Sequence, residues 1–309
     1  MAPPIQHIGF MMPRNSKKNI NKKRVGVYDM TEMSENQLKK LFSGAKNLHT
    51  IHTKNTRYVI KDNLLRNMIG RDNIPVTKSF DEIYNDKLTE IDALFSETAA
   101  LFFAAQQNSD AFDEKYAQVF TGLIQNALNT FGSAVILLRS NLPGQCMVLL
   151  RQVIEICSTI IHITGDPKAI AIDKFIDGKY QSTDSIGQAK KAVPIIGHFW
   201  GFLSNSFVHI NYAHTAIQPV RVHKPDDQEV EAIIKCLKMT VWVCYLTAEI
   251  AFPTVRQHNR YWQRRIHDGR PAVEYAPSPE ERDWAAKFLD LEDVGPDDLE
   301  ANDDKSDDS

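Results

Sequence analysis

The chain has 309 residues, 43% of them hydrophobic and 24% charged, with a formal net charge of −3. This is globular material able to bury a sizeable core in one large domain or two small ones. No uninterrupted apolar run reaches the roughly 18–20 residues of a membrane span: the longest, Met239 to Phe252, is broken by Glu249. The first residues, MAPPIQHIGFMMPR, lack the charged-then-apolar order of a secretory signal, so the expectation is a cytoplasmic protein with no membrane partner.

The small net charge hides an asymmetry. Residues 14–78 hold 15 Lys/Arg against 5 Asp/Glu, residues 79–276 hold 18 against 21, and residues 277–309 hold 3 against 13. The expected organisation is therefore a basic N-terminal arm or subdomain (1–78), a helical bundle core (79–268), and a short helix with an acidic tail (269–309).

In chain order, residues 1–30 read as irregular, with a basic tract at 17–24 and a short strand at 25–30. Ser34 and Gln37 have capping-box spacing and predict a helix to about His49. Residues 50–78 mix a short helix with loop, and Pro75 marks a break. Ser79 and Glu82 form a second capping box, followed by Ile83, Leu88, Ile91, Leu94, Phe95, Leu101 and Phe102 at helical spacing. Another helix is predicted from Asp113 to Ser140. A tight turn at Asn141–Pro143 then makes the next helix, Pro143–Thr164, antiparallel to it. Asp166–Pro167 predicts a further helix start, 177–193 a polar loop, Pro194 a helix to about Ala213, and Asp226 a cap for a helix ending at Pro253. A further helical segment is expected to about Asp268, and Ser278–Pro279 opens a last helix to about Asp290. From Asp293 the chain is acidic and low in complexity, which predicts disorder. The fold class is all-α, a multi-helix bundle.

The four cysteines (146, 157, 236 and 244) sit in apolar helical stretches without a CxxC pair, so reduced core cysteines are expected. No Glu-x-x-His, H-E-x-x-H, P-loop, G-x-G-x-x-G or G-x-S-x-G pattern occurs. The sequence therefore predicts no metal and no cofactor.

Chemistry concentrates in two places. In the helix from Pro143, Arg151, Glu155, Ser158 or Thr159, and His162 recur every three or four residues and so share a face. Downstream, Asn205, Ser206 and His209 fall within one turn and are expected to meet Arg151 and Glu155 inside the bundle. Two readings fit: a satisfied network fixing helix register, or a pocket lined by an acid, a base and a cation. The second place is RQHNRYWQRRIHDGR (256–270), where Arg256, Arg260, Arg264 and Arg265 interleave with Tyr261 and Trp262. On a helix these form a basic face able to grip phosphate and stack on bases.

The stretch 127–167, with SNSFVH downstream, resembles an uncharacterised bacterial all-helical domain family that shares an Arg-x-x-x-Glu helix and a Ser/Asn-x-x-His element. The resemblance covers about residues 117–215. Arg260 and His267, with six residues between them, also resemble the catalytic motif of HEPN bundles, several of which are metal-independent ribonucleases in toxin and phage-defence systems. That resemblance implies catalysis at a ribose 2′-hydroxyl by Arg260 and His267. Two functions follow as expectations. One is a non-catalytic intracellular module binding RNA, DNA or a protein partner (a homodimer included), in a bacterial or phage-linked defence setting. The other is a HEPN-like ribonuclease.

Overall fold

The computed structural model describes residues 28–29, 36–37, 48–52, 57–61, 64–108, 113–209, 220–267 and 270–291. The acidic tail and most of the basic arm lie outside them. So does the end of the helix expected to reach Ala213.

The chain divides into two compact units. The first comprises residues 1–84, 139–142 and 210–225, and the second the remainder. The boundary thus falls at residue 84, not 78, and residues 269–291 belong with the bundle.

The first unit departs from the expected loops and helix. It contains strands β1 (Tyr28–Asp29), β2 (Leu48–His52) and β3 (Arg57–Lys61), antiparallel in the order β1-β3-β2. His49 therefore lies in a strand and not at a helix end. A short helix α1 (Leu64–Ile69) follows, and then α2 (Asn73–Gln107) begins. Pro75 opens α2 where a break was expected, because proline in a first turn removes an amide that has no intrahelical partner. Ser79 consequently lies inside the helix. Its hydroxyl bonds to Val76 O at 2.7 Å and accepts the His223 amide at 2.8 Å, so no capping box forms there. The buried His223 ring packs edge-on to Phe80, and Arg139 forms a two-point ion pair with Asp81.

The second unit holds the bundle. Helix α3 (Glu114–Arg139) starts where expected, with Asp113 accepting the Lys115 amide at 3.0 Å. Helix α4 (Pro143–Gly165) follows a turn in which Asn141 takes φ 55°. Helix α5 (Ile170–Ile176) starts later than expected, because Asp166 caps the amides of Lys168 and Ala171 across an intervening turn. The polar stretch read as loop is helix α6 (Ser182–Ala192), whose Ser185, Ile186 and Ala189 are buried. Helix α7 (Ile195–Leu203) runs into a π turn at Ser204–Val208. Helix α8 (Gln228–Ala251) is capped by Asp227, one residue after the expected Asp226.

The core of this unit is α4 against α8, flanked by α6 and α7. From Thr240 to Ala251 every α8 residue is buried, as expected of a helix apolar on all sides. Its buried threonines Thr240 and Thr247 satisfy their hydroxyls on carbonyls four residues back, at 2.8 and 2.7 Å. The cysteines are free thiols. Cys157 and Cys244 face each other at 3.9 Å, and burial pushes the Cys146 thiol up to about 12. Among the described residues α4, and not the 239–252 run, is long and apolar enough to cross a membrane by length and composition, and 67% of its apolar window is buried in the fold.

Beyond α8 the expected helix is absent. Residues 262–275 form the antiparallel hairpin β4 (Trp262–His267) and β5 (Arg270–Tyr275), and α9 (Pro279–Phe288) follows with Ser278 as its cap. The switch from helix to strand is fixed by Glu249, buried near the end of α8. Its two oxygens accept the amides of Arg260 at 2.5 Å and Tyr261 at 2.8 Å. Burial raises its pKa, and the two amides with Arg256 and Arg260 oppose that shift. In Glu249→Gln one amide would face an NH2 group. An unpaired buried donor costs about 2–3 kcal/mol, so the melting temperature should fall by roughly 5–10 °C. A scanning-fluorimetry midpoint unchanged by the substitution would refute this role.

Candidate functional site

Three clusters in the second unit carry the predicted residues. The first is built on α4. Arg151 donates Nε to Ser204 Oγ at 2.9 Å and both terminal nitrogens to Glu155, at 3.0 and 3.2 Å. Glu155 Oε1 also accepts the Trp200 indole at 3.3 Å, and the Arg151 guanidinium stacks over that indole. The i,i+4 pair expected from sequence is therefore present. Its partners from the next helix are Trp200 and Ser204, not Ser206 and His209. The π turn explains the difference. With the His209 amide bonded five residues back to Ser204 O at 3.2 Å, the backbone is wider than an α turn and His209 lies exposed. Side-chain exposures of 23% for Arg151 and 20% for Glu155 place the pair on the flank of the bundle. Every Arg151 nitrogen already has a partner, which favours the register-fixing reading over a pocket.

His162, two turns beyond Glu155, is separate from this pair. It shares a 2.8 Å hydrogen bond with the Tyr180 hydroxyl. The buried Ser158 hydroxyl has no partner among the described residues.

The second cluster surrounds Arg260. Its guanidinium bonds to both oxygens of Glu281 and to Glu97, and lies over the rings of Trp284, Tyr245 and Tyr261 at 4.7, 5.2 and 5.5 Å. Burial lowers its pKa, and the Glu281 bonds and nearby groups more than offset that, leaving it above the usual arginine value. Arg256 pairs with Glu97 and with the Tyr245 hydroxyl. Tyr261 and Trp262 are buried, and the Trp262 indole donates to Leu246 O at 2.8 Å. Four of the six residues expected on a basic nucleic-acid face are thus committed to the fold.

The pairing of Arg260 with His267 also changes. An extended β4 sets Trp262 and His267 about 17 Å apart, while the Arg260 side chain is held by Glu97 and Glu281. A compact Arg–His dyad needs both groups on one phosphate, and this arrangement separates them.

The third cluster is what remains of that face. Arg264 and Arg265 are exposed on β4. Arg265 pairs with Glu274 across the hairpin at 3.0 Å, and no described carboxylate pairs with Arg264. Arg270 lies in register with His267. The expected helix hid this hairpin, and the signal for it was Asp268–Gly269, the dipeptide that favours a two-residue turn.

Two further features bear on binding. Helices α2 and α3 border a groove of about 360 Å³, floored by Leu88, Ile91, Phe95, Phe131 and Val135 with Asp92 as its acid. Among the described residues no group of three or more His, Cys, Asp or Glu is placed to hold a metal. Compared with protein-family models, curated proteins and solved structures, the chain matches none.

His162 yields a pH prediction. Burial holds its imidazole below the ordinary value of about 6.5, so the fold prefers the neutral ring. As pH falls below that value the unfolded chain takes the proton first. Stability is then lost with falling pH across the window between the ordinary and the lowered pKa. The melting temperature should drop as pH falls below the ordinary imidazole value, and His162→Gln should flatten part of that slope. An identical slope in the variant would show that His162 does not titrate in this way.

Proposed function

We propose that this protein is a non-catalytic helical module that binds nucleic acid through cationic strands. The observation carrying this reading is the β4–β5 hairpin, where Arg264 and Arg265 stand exposed on a base clamped by Glu249, Arg260 and Trp262. A two-stranded ribbon fits a nucleic-acid groove, and a rigid base lowers the entropy cost of presenting its charges.

The first unit supports the same reading. Strands β1 and β3 carry Tyr28, Arg57, Tyr58 and Lys61, within the segment carrying 15 Lys/Arg against 5 Asp/Glu. Basic and aromatic residues on a sheet suit phosphate contact and base stacking. The HEPN-like ribonuclease reading has less support, since Glu97 and Glu281 occupy the arginine it requires.

A labelled RNA or DNA oligonucleotide titrated by fluorescence anisotropy tests the proposal. With about three phosphate contacts, affinity should fall on the order of 20-fold between about 50 and 200 mM salt. Arg264→Glu with Arg265→Glu should weaken binding at least about 10-fold at low salt. Full affinity in the double variant would remove the hairpin from the interface. Cleavage of RNA in EDTA by the purified chain would instead overturn the non-catalytic part.

Helix α3 favours a second reading, a homodimer. From Tyr116 to Leu138 it carries no charged residue, and its exposed positions include Gln118, Gln125, Asn126, Asn129 and Ser133 beside Ile136 at 60% exposure. Gly122 and Gly132 lie among them with open space around the position a Cβ would take. An uncharged amide-rich face is compatible with its own copy, since no like charges oppose. Light scattering should then give twice the 35.1 kDa chain mass, and Gly132→Arg with Ile136→Glu should return the monomer. A monomer at concentrations of about 100 μM would exclude a dimer of even moderate affinity.

A further inference from the structure

We propose that the groove between α2 and α3 binds a small amphiphilic cation, an apolar chain with an ammonium head. The site lies apart from the hairpin and does not rest on the nucleic-acid reading. On α2, Asn85, Leu88, Thr89, Asp92 and Phe95 recur every three or four residues and so share a face. Helix α3 supplies the other wall with Phe131 and Val135. Phe95 stacks on Phe131 with ring centres 5.6 Å apart, which ties the two walls together. Ile91 and Phe131 are buried at the floor. Leu88, Phe95 and Val135 are half-buried and leave apolar surface facing solvent. Covering that surface favours an apolar ligand.

The dimensions set its size. The groove holds about 360 Å³, within the range of small-molecule sites. Gly132 borders it between Phe131 and Val135, and a Cβ on that residue would meet no atom within 4 Å. The wall is therefore open where another residue would project a side chain. From Asn85 to Phe95 the helix rises about 15 Å, close to the roughly 13 Å of an extended ten-carbon chain with its head group.

Asp92 selects the head group. Among the lining residues it alone is charged. It is exposed, and no described residue pairs with it. Lys87, the nearest cation along α2, pairs with Glu231. Helix α3 carries no charge from Tyr116 to Leu138. The Thr89 hydroxyl donates to Asn85 O at 3.0 Å. A ligand carboxylate would thus face an acid with no base on either wall, whereas an ammonium would meet a carboxylate. An exposed ion pair contributes little by itself, so the charge chooses between ligands and the apolar chain supplies most of the affinity.

The test titrates the native chain with decylammonium chloride, kept below its micelle concentration, and with sodium decanoate as the matched anion, followed by calorimetry. Decylammonium should bind about 3–10-fold more tightly than decanoate. Asp92→Asn should shrink that preference to about twofold or less. Across hexyl-, octyl- and decylammonium, affinity should rise at least about twofold per methylene. Gly132→Phe fills the open space and should abolish binding with the melting temperature unchanged, while Gly132→Ala should keep binding within about threefold. Val135→Lys sets a cation beside Asp92 and should turn the preference towards decanoate, which tests the site independently of Gly132→Phe. No decylammonium binding by the native chain overturns the inference, and binding that persists in both Gly132→Phe and Val135→Lys overturns the site. Equal binding of the two amphiphiles by the native chain overturns the assignment of a cation. A native chain of twice the monomer mass by light scattering, returned to the monomer by Gly132→Phe, would assign the groove to a second copy and overturn the ligand.

Discussion

The arrangement at the C-terminal side of the bundle depends on one buried carboxylate. Glu249 lies on a helix whose last turns are otherwise apolar and wholly enclosed. Its charge is tolerated there because two backbone amides eleven and twelve residues later point at it. A buried carboxylate costs several kcal/mol without such partners. The same two bonds fix the chain at Arg260 and Tyr261 after it has left α8. Everything beyond inherits that placement: Arg260 turns onto Glu97 and Glu281, Trp262 inserts under Leu246 O, and the hairpin starts in a defined direction. An apolar residue at 249 would suit the helix equally well and leave the following segment without an anchor.

Charge in this unit is divided by burial. Arg256, Arg260 and Lys238 are matched to carboxylates from α2, α9 and the residues after it. These pairs join elements distant in sequence and hold α9 on the bundle. Arg151 and Glu155 do similar work midway along α4, where they meet Trp200 and Ser204 from α7 and its continuation. Paired and partly desolvated cations of this kind are poor ligands for phosphate, because a phosphate would have to displace a carboxylate already in hydrogen-bonding geometry. Of the four arginines expected on one basic helix face, Arg264 and Arg265 remain exposed, and both lie on β4.

How much was legible in the sequence follows from which signals are local. Helices α3, α4 and α9 were readable because apolar periodicity agreed with a cap at each start: Asp113, Pro143 and Ser278. Arg151 with Glu155 was readable because both lie on one helix, where spacing determines contact. The partners of that pair were not, since a π turn shifts the register after Ser204 and no local composition announces it. The Ser79–Glu82 box misled for a related reason. Pro75 permits an earlier helix start, and a long helix running through a capping pair overrides it. Residues 256–270 misled most, because Arg256, Arg260 and Arg264 recur every four residues as on a helix. Long-range bonds from Glu249 decide against that helix, and only Asp268–Gly269 records the strand alternative locally.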